Sequence, residues 1–278
     1  MKRLLSIELQ KIWMNKASRI LTLTYFILLS FIALIAAIKF DIGIFKFHLA
    51  EMGIFNFPFI WHFNTYVAAI LKFFLAIVIV SMMANEYSYG TLKQNLIDGL
   101  SKKEFILSKF LTVVLFAFAS TVFVFVMSLI LGLFFSSYTE FDIIFSDLDY
   151  LLAFFVKLTG FFSFCLFLGI LVKRSAFALG FLLVWSILEG IIKATLAFRI
   201  FPESNTDEKI TQFLPLESMS NLIDNPGPRL SVIKNIGSQM GIETDIDYSV
   251  NYLAVLIVLI WTSLFVCFSY KLLKNRDL

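Results

Sequence analysis

Charged residues are scarce in this 278-residue sequence: Asp, Glu, Lys and Arg together make up 15% of it, whereas 59% of the residues are hydrophobic. A typical soluble domain is about half apolar and a quarter charged. A single domain of this size cannot bury so much apolar surface away from water. The composition therefore argues against a soluble enzyme and against a disordered chain, and it predicts an integral membrane protein.

Residues that commonly carry catalysis are also few. The two cysteines, Cys165 and Cys267, lie inside long apolar runs, so no disulfide framework is indicated. The two histidines, His48 and His62, are expected near the outer membrane surface, and the sequence has no H-E-x-x-H, no G-x-S-x-G and no cluster of metal ligands. No basic soluble patch suggests a nucleic-acid partner. We therefore predict no enzymatic activity, no metal site and no nucleic-acid binding for this chain.

Long apolar runs dominate the rest of the chain. A helix needs about 20 apolar residues to cross the hydrocarbon layer of a membrane. Hydropathy predicts six such helices, at residues 20–38, 62–84, 110–135, 150–172, 176–197 and 252–270. All five prolines lie outside these ranges, which supports the boundaries. The predicted fold is an all-α integral membrane protein with six transmembrane helices.

The distribution of basic residues predicts the orientation. With the N-terminus in the cytoplasm, the inside segments hold 14 Lys and Arg residues and the outside segments hold six. Because Lys and Arg favour cytoplasmic loops, we expect both termini to be cytoplasmic. The largest outside segment, residues 198–251, is expected to be extracytoplasmic, with short helices at 207–222 and 229–240.

The first 19 residues have an amphipathic pattern. Leu5, Leu9, Ile12 and Trp13 follow i, i+4, i+7, i+8 spacing, and the basic residues lie largely off this stripe. The pattern predicts an interfacial helix over residues 1–19 that lies on membrane lipid at the cytoplasmic surface. The alternative is a disordered basic tail that only sets the orientation.

Residues 85–109, between the second and third predicted spans, form the most informative segment. Leu92, Leu96 and Leu100 recur at i, i+4, i+8, which predicts a short helix over residues 91–100 with one apolar stripe. A helix joined closely to two membrane helices would pass a push from a cytoplasmic partner into the membrane. The alternative is an ordinary interfacial helix that lies on lipid.

The end of this short helix and the start of the next are also marked. Gly99 favours a stop, and Ser101-Lys102-Lys103-Glu104 has the S-x-x-E form of a capping box. The capping box predicts that the next helix begins immediately after Ser101.

Several residues of this segment form a recognisable pattern: Glu86, Gly90-Thr91-Leu92-Lys93, Gly99-Leu100-Ser101, Lys103-Glu104-Phe105 and Ser108-Lys109. They resemble the E…GTL…L…GLS+xEF…xK pattern that follows the second span of ABC-2-type transporter permeases. The wider layout is also similar to that family, with an N-terminal interfacial helix, six spans, cytoplasmic termini and a large outer segment before the last span.

The resemblance implies a function for the chain and a role for its cytoplasmic loop. The chain would be a single ABC-2-type transmembrane domain over residues 1–278, the permease subunit of an ATP-driven exporter. Residues 85–109 would form a cytoplasmic coupling loop whose short helix, the coupling helix, docks on an ATPase. The residues implied in this coupling are Glu86, Gly90, Thr91, Leu92, Leu96, Gly99 and Leu100.

The resemblance also implies partners and a location. The sequence contains no G-x-x-x-x-G-K-[ST] phosphate-binding loop, so ATP and Mg²⁺ would bind to a separate ATP-binding cassette ATPase dimer. A second permease subunit, identical or related, would complete the path in the bacterial cytoplasmic (inner) membrane. The alternative is an ATP-independent protein, either an ion-coupled carrier using Glu189 and Lys72 or a membrane assembly factor.

Four charged residues lie inside the predicted spans: Lys72, Lys157, Glu189 and Lys193. Each costs at least about 2–3 kcal/mol if it faces lipid at mid-membrane. One hypothesis places them along a translocation path or at a subunit interface, where their net charge of +2 suits an anionic substrate headgroup. The alternative is that the two outer lysines extend toward the surface and Glu189 neutralises one of them, Lys193 being its i+4 neighbour.

Overall fold

The computed structural model describes residues 2–38, 40–42, 45–47, 53–138, 140–202, 206–229 and 248–276. The predicted helix at 229–240 and His48 lie outside these residues, except for Arg229 itself. In chain order the elements are α1 (Lys2–Met14), α2 (Lys16–Ala37), β1 (Phe40–Ile42), β2 (Phe45–Phe47), α3 (Phe59–Ile70), α4 (Lys72–Ser88), α5 (Thr91–Ile97), α6 (Lys102–Phe135), α7 (Phe141–Ile144), α8 (Asp149–Val172), α9 (Ser175–Thr195), α10 (Thr206–Thr211), α11 (Pro215–Ser220) and α12 (Tyr252–Lys274).

Helices make up nearly all of the regular structure. The two short strands pair as an antiparallel hairpin between α2 and α3. A π-helical turn, Leu196–Ile200, extends α9, and a 3₁₀ turn, Gly227–Arg229, follows α11. Residues 207–222, predicted as one short helix, form two, since Pro215 opens α11 as its first helical residue, where the missing N–H of proline costs no helical hydrogen bond.

Among the described residues, five helices are long and apolar enough to cross a membrane, which makes this a multi-pass membrane protein. They are α2, α6, the α7–α8 stretch Phe141–Val172, α9 with its π-helical turn (Ser175–Ile200), and α12. The second predicted span, 62–84, is not a single straight helix. It forms α3 and α4, which bend by 45° at Leu71. The described part of the chain therefore has five such spans, and a sixth if the bent pair crosses once.

Two helix starts are set by side-chain caps. The Asn15 side chain accepts a hydrogen bond from the backbone N–H of Ser18 at 3.0 Å, so the first span begins at Lys16, before the predicted 20. The capping box predicted at Ser101 and Glu104 is confirmed. The third span is consequently one helix of 34 residues, longer than the predicted 110–135.

Helix α8 is the centre of the bundle. It packs against α3, α4, α6, α9 and α12. In its most apolar stretch 83% of the residues are buried, compared with 17% in α9 and 22% in α2. Helices α2 and α9 therefore present most of their apolar surface to the surroundings, and in a membrane protein that surface faces lipid or another subunit.

Close approach of α8 to its neighbours depends on glycine. A Cβ atom at Gly160 would lie 2.7 Å from Cγ1 of Val258 on α12 and 3.2 Å from Cε of Met219 on α11. A Cβ atom at Gly169 would lie 2.9 Å from Cβ of Met83 on α4. Small residues at such crossings let helix backbones approach closely, which is how helices gain packing energy in lipid.

Helix α1 and the end of α12 lie at one end of the bundle, called here the termini end. The Lys102 ammonium at the start of α6 donates to the carbonyl oxygens of Lys274 and Arg276, at 3.2 and 3.0 Å. Helix α1 packs against α6 and α2 near the same end. The opposite end, called the far end, carries α7, α10 and α11.

We predict that Gly160→Ala lowers the free energy of unfolding by about 1–3 kcal/mol, because the new methyl group overpacks the crossing with Val258. Gly180→Ala on α9 is the matched control, since nothing lies within 4 Å of a Cβ atom there. Thermal unfolding in detergent should show a lower Tm for the first variant only. Equal Tm values for both variants would contradict the packing described here.

Candidate functional site

A cluster of four charged side chains lies at the termini end. The ammonium of Lys109 donates to Oε2 of Glu8 and to Oε1 of Glu86, both at 2.6 Å. The ammonium of Lys11 lies 2.8 Å from the same Glu86 oxygen and 3.8 Å from Oε1 of Glu8. This charge cluster, Glu8, Lys11, Glu86 and Lys109, joins α1, α4 and α6.

The charge cluster is buried and electrically balanced. Lys109 is fully buried, Glu86 and Glu8 are 3% and 5% exposed, and only Lys11 reaches solvent. Two carboxylates face two ammonium groups, so the formal charge of the four is zero. Removing a charge from water is costly unless a partner and hydrogen bonds replace the hydration. Each buried member therefore constrains the position of the other helices.

The second carboxylate oxygen of Glu86 extends the charge cluster to α5. It accepts hydrogen bonds from Oγ1 of Thr91 at 2.6 Å and from Nδ2 of Asn95 at 3.4 Å. Gly90 and Gly99 bracket α5 with φ values of +68° and +97°, which glycine adopts without strain. Helix α5 is therefore held at both ends by sharp turns and along its side by one carboxylate.

Helix α5 is shorter than the predicted 91–100 and directs its leucine stripe inward. Leu92 is buried, and Leu96 and Leu100 are partly buried against the core. The exposed residues of the segment lie on the opposite side, where Ile97 is 75% exposed beside Lys93, Gln94 and Asp98. The stripe therefore fixes α5 to the bundle, and the surface left for a partner is the one around Ile97.

The sequence analysis named Glu86 and Thr91 as coupling residues and included Lys109 only in the loop pattern. It did not identify Glu8 or Lys11 as members of this site. The available signal was Glu8 itself, an acid in an otherwise apolar and basic N-terminal segment. Its partner Lys109 is 101 residues away, and a single sequence does not show that contact.

Lys72 lies at the bend between α3 and α4. Its ammonium is 4.4 Å from the ring centroid of Phe161 and 5.9 Å from that of Phe73. An aromatic face stabilises a cation through its quadrupole, by about 2 kcal/mol or more where water is excluded. The side chain is partly buried against α8.

The other three predicted path residues all bind the segment that follows α10. Lys157, 4% exposed, donates to the carbonyl oxygens of Ser220 and Ile223 at 3.2 and 3.5 Å. Lys193 forms an ion pair with Glu217. The expected i, i+4 pair of Glu189 with Lys193 is therefore wrong, because α11 brings a competing carboxylate to the lysine.

Glu189 acts as a cap for α11. Its carboxylate accepts hydrogen bonds from the backbone N–H of Leu216 at 3.0 Å, from that of Glu217 at 2.9 Å and from the indole N–H of Trp185 at 2.6 Å. A carboxylate at a helix N-terminus satisfies free N–H groups and complements the helix dipole. Lys157, Glu189 and Lys193 thus fix the far-end segment onto α8 and α9.

A second buried group at the far end surrounds His62. Its ring stacks on Tyr150 with centroids 4.3 Å apart, and its two nitrogens lie 2.9 Å from the Asp224 carbonyl oxygen and 3.1 Å from an Arg229 nitrogen. Burial raises the pKa of the Asp224 carboxyl, and nearby Lys157 opposes that rise. His62 is fully buried and holds Asp224 and Arg229 against Tyr150 of α8.

These contacts are suited to holding helices together. Within the described ranges, no group of three or more His, Cys, Asp or Glu residues is arranged to hold a metal ion. The charge cluster differs from the far-end contacts in one respect: the short helix that it attaches, α5, exposes Lys93, Gln94 and Ile97, whereas α11 exposes only Ser220. It is therefore the candidate functional site.

A comparison with family models identifies the family to which the chain belongs. A family model described as "Protein of unknown function (DUF2705)" matches residues 27–278. Because the match covers most of the chain, the chain belongs to that family. No curated protein matches it.

We predict that Lys109→Met destabilises the protein by about 3–5 kcal/mol, because Glu8 and Glu86 then stay buried with their main cation gone. Lys193→Met is the matched control, because it breaks an ion pair whose lysine side chain is 46% exposed. The expected loss of unfolding free energy for this control is at most about 1 kcal/mol.

A double-mutant cycle with Glu86→Gln isolates the interaction, and denaturant titration in detergent measures it. Lys109→Met should cost much less in the Glu86→Gln background, because one buried charge has already been removed. Strictly additive losses would mean that the two residues do not interact.

Proposed function

We propose that this member of the DUF2705 family is the permease subunit of an ATP-driven transporter of the ABC-2 type, acting as an exporter. The chain has no phosphate-binding loop, so a separate ATP-binding cassette ATPase dimer binds ATP and Mg²⁺. A second permease subunit completes the translocation path. The proposed location is the bacterial cytoplasmic membrane, with both termini in the cytoplasm.

One observation carries the proposal: α5, a short helix at the termini end, is bonded through Glu86 to the ends of two long helices. Thr91 and Asn95 attach it to α4, and Lys109 attaches Glu86 to α6. The loop pattern that resembles ABC-2-type permeases spans the same residues. A force applied to α5 is therefore delivered to α4 and α6 together.

The length of α6 supports transmission across the membrane. Its 34 residues form one uninterrupted helix, about 51 Å long at 1.5 Å per residue. That length exceeds the membrane's hydrocarbon thickness of about 30 Å. In the proposed mechanism, ATP binding moves the ATPase against the exposed face of α5, and α6 carries the motion to the far end.

A six-span topology is part of the proposal. It counts the bent pair α3 and α4 as one crossing, in addition to the five long helices. An even number of crossings returns the chain to its starting side, and both termini lie at one end of the bundle. The excess of Lys and Arg in the segments at that end favours the cytoplasm for it.

Lys72 favours a second candidate, an ion-coupled carrier. An ammonium that packs on aromatic rings at a helix bend is placed where a change in its charge would alter the bend. Glu189, the other residue of that hypothesis, instead accepts hydrogen bonds from the N–H groups of Trp185, Leu216 and Glu217. The carrier therefore has less support than the permease.

We predict that Ile97→Asp separates the chain from its ATPase while leaving the fold intact. Ile97 is 75% exposed, so the change costs little within the bundle. It removes an apolar contact worth about 1.5–3 kcal/mol and buries a charge at the docking surface, so at least tenfold less ATPase should copurify. The measurement is ATP hydrolysis per permease after mild detergent extraction.

Phe141→Asp is the matched control, since Phe141 is 77% exposed at the far end. This variant should retain the copurified ATPase. Equal ATPase recovery from Ile97→Asp and the wild type would contradict docking on α5. Transport that persists in Ile97→Asp, follows an ion gradient and disappears in Lys72→Met would establish the carrier instead.

A further inference from the structure

An apolar groove of about 500 Å³ lies between α1, α2 and α6 at the termini end. Its walls include Leu9 and Trp13 of α1, Phe26 of α2, and Phe116 and Ala119 of α6. The volume is within the range of pockets that enclose small ligands. The groove is separate from the charge cluster, which lies on the other side of α1.

Basic residues lie on the groove-facing sides of α1 and α2, nearer the termini end. Arg19 precedes the groove residues Thr22 and Phe26 by three and seven positions on α2, so it lies on the same helix face, nearer the termini end. On α1, Lys2 precedes the groove residues Leu9 and Trp13 by seven and eleven positions, so it also lies on the groove face of its helix.

One acid on α6 opposes these cations: Glu104 precedes the groove residue Leu115 by eleven positions and so lies on the same helix face. The one acid in α1 and α2 is Glu8, which is buried and bonded to Lys109 on the opposite side of α1. Lys16 and Arg3 add two further positive charges at the termini end. Four basic residues against one acid leave the mouth of the groove positively charged, whereas its walls are apolar.

We propose that this groove binds one anionic phospholipid, with an acyl chain between α2 and α6 and its phosphate at Arg19. The apolar walls match the acyl chain, and the excess of positive charge at the mouth matches the headgroup. A basic residue near an anionic lipid surface strengthens binding about fivefold. A neutral phospholipid matches the walls but not the mouth, which is why the charged lipid is the chosen occupant.

The occupied groove supports the docked position of α1. Ile12 is buried and lines both the groove and the cavity beside the charge cluster. A lipid on one face of α1 and the ion pairs on its other face would therefore hold the same helix. This role requires no ATPase and stands independently of the proposed function.

Trp13 reports on the groove because it lines it and is 54% exposed. The full chain is placed in phosphatidylcholine nanodiscs with increasing brominated phosphatidylglycerol, or brominated phosphatidylcholine for comparison. The fluorescence difference between the wild type and Trp13→Phe isolates this residue from the other three tryptophans. We expect half-maximal quenching at about fivefold lower mole fraction for the brominated phosphatidylglycerol.

Three variants test the assignment. Arg19→Gln should remove most of the preference for the anionic lipid, because the phosphate lies at Arg19, whereas Arg174→Gln should preserve it; Arg174 is an exposed arginine that precedes α9. Ala119→Phe should reduce quenching by both lipids, because the ring fills the groove from an exposed position. The proposal is overturned if both lipids quench equally in the wild type, if neither quenches, or if the preference is undiminished in Arg19→Gln.

Discussion

The contact between Lys109 and the carboxylates of Glu8 and Glu86 is the constraint on which the termini end depends. A fully buried ammonium needs both acids, and each acid belongs to a different helix. Because unpaired buried charges are so costly, α1 and α4 are fixed in register with α6. Glu86 then adds α5 through Thr91 and Asn95. One lysine thereby unites an N-terminal helix, a short loop helix and two membrane helices.

The far end is built on the same physical rule with different partners. Lys157 and Glu189 satisfy backbone carbonyl and N–H groups of the segment that contains α11, and Lys193 pairs with Glu217. Met219 of that segment reaches Gly160 in the middle of α8. Lys157, Glu189 and Lys193 therefore hold the segment with α11 in the bundle. The fourth charge predicted inside a span, Lys72 of α4, instead packs on aromatic rings at the helix bend.

Sequence patterns predicted the local features of the fold better than its contacts. Hydropathy located all five long helices, and the capping box at Ser101 was read correctly, because both signals lie within a few neighbouring residues. The bend at Leu71 was missed, since no proline or glycine marks it. The pairing of Glu8 with Lys109 was also missed, because it depends on how distant helices pack. The proposed coupling role of α5 stays a prediction drawn from the loop pattern.

The central claim is that α1 and α5 move as one body with α4 and α6. Spin labels at the exposed positions Ser6 and Gln94 would measure the distance between α1 and α5 by pulsed electron spin resonance. We predict one narrow distance distribution that is unchanged when the proposed partner ATPase binds ATP, and a broad distribution in Lys109→Met. A distance that shifts on ATP binding in the wild type, or that stays narrow in Lys109→Met, would contradict the claim.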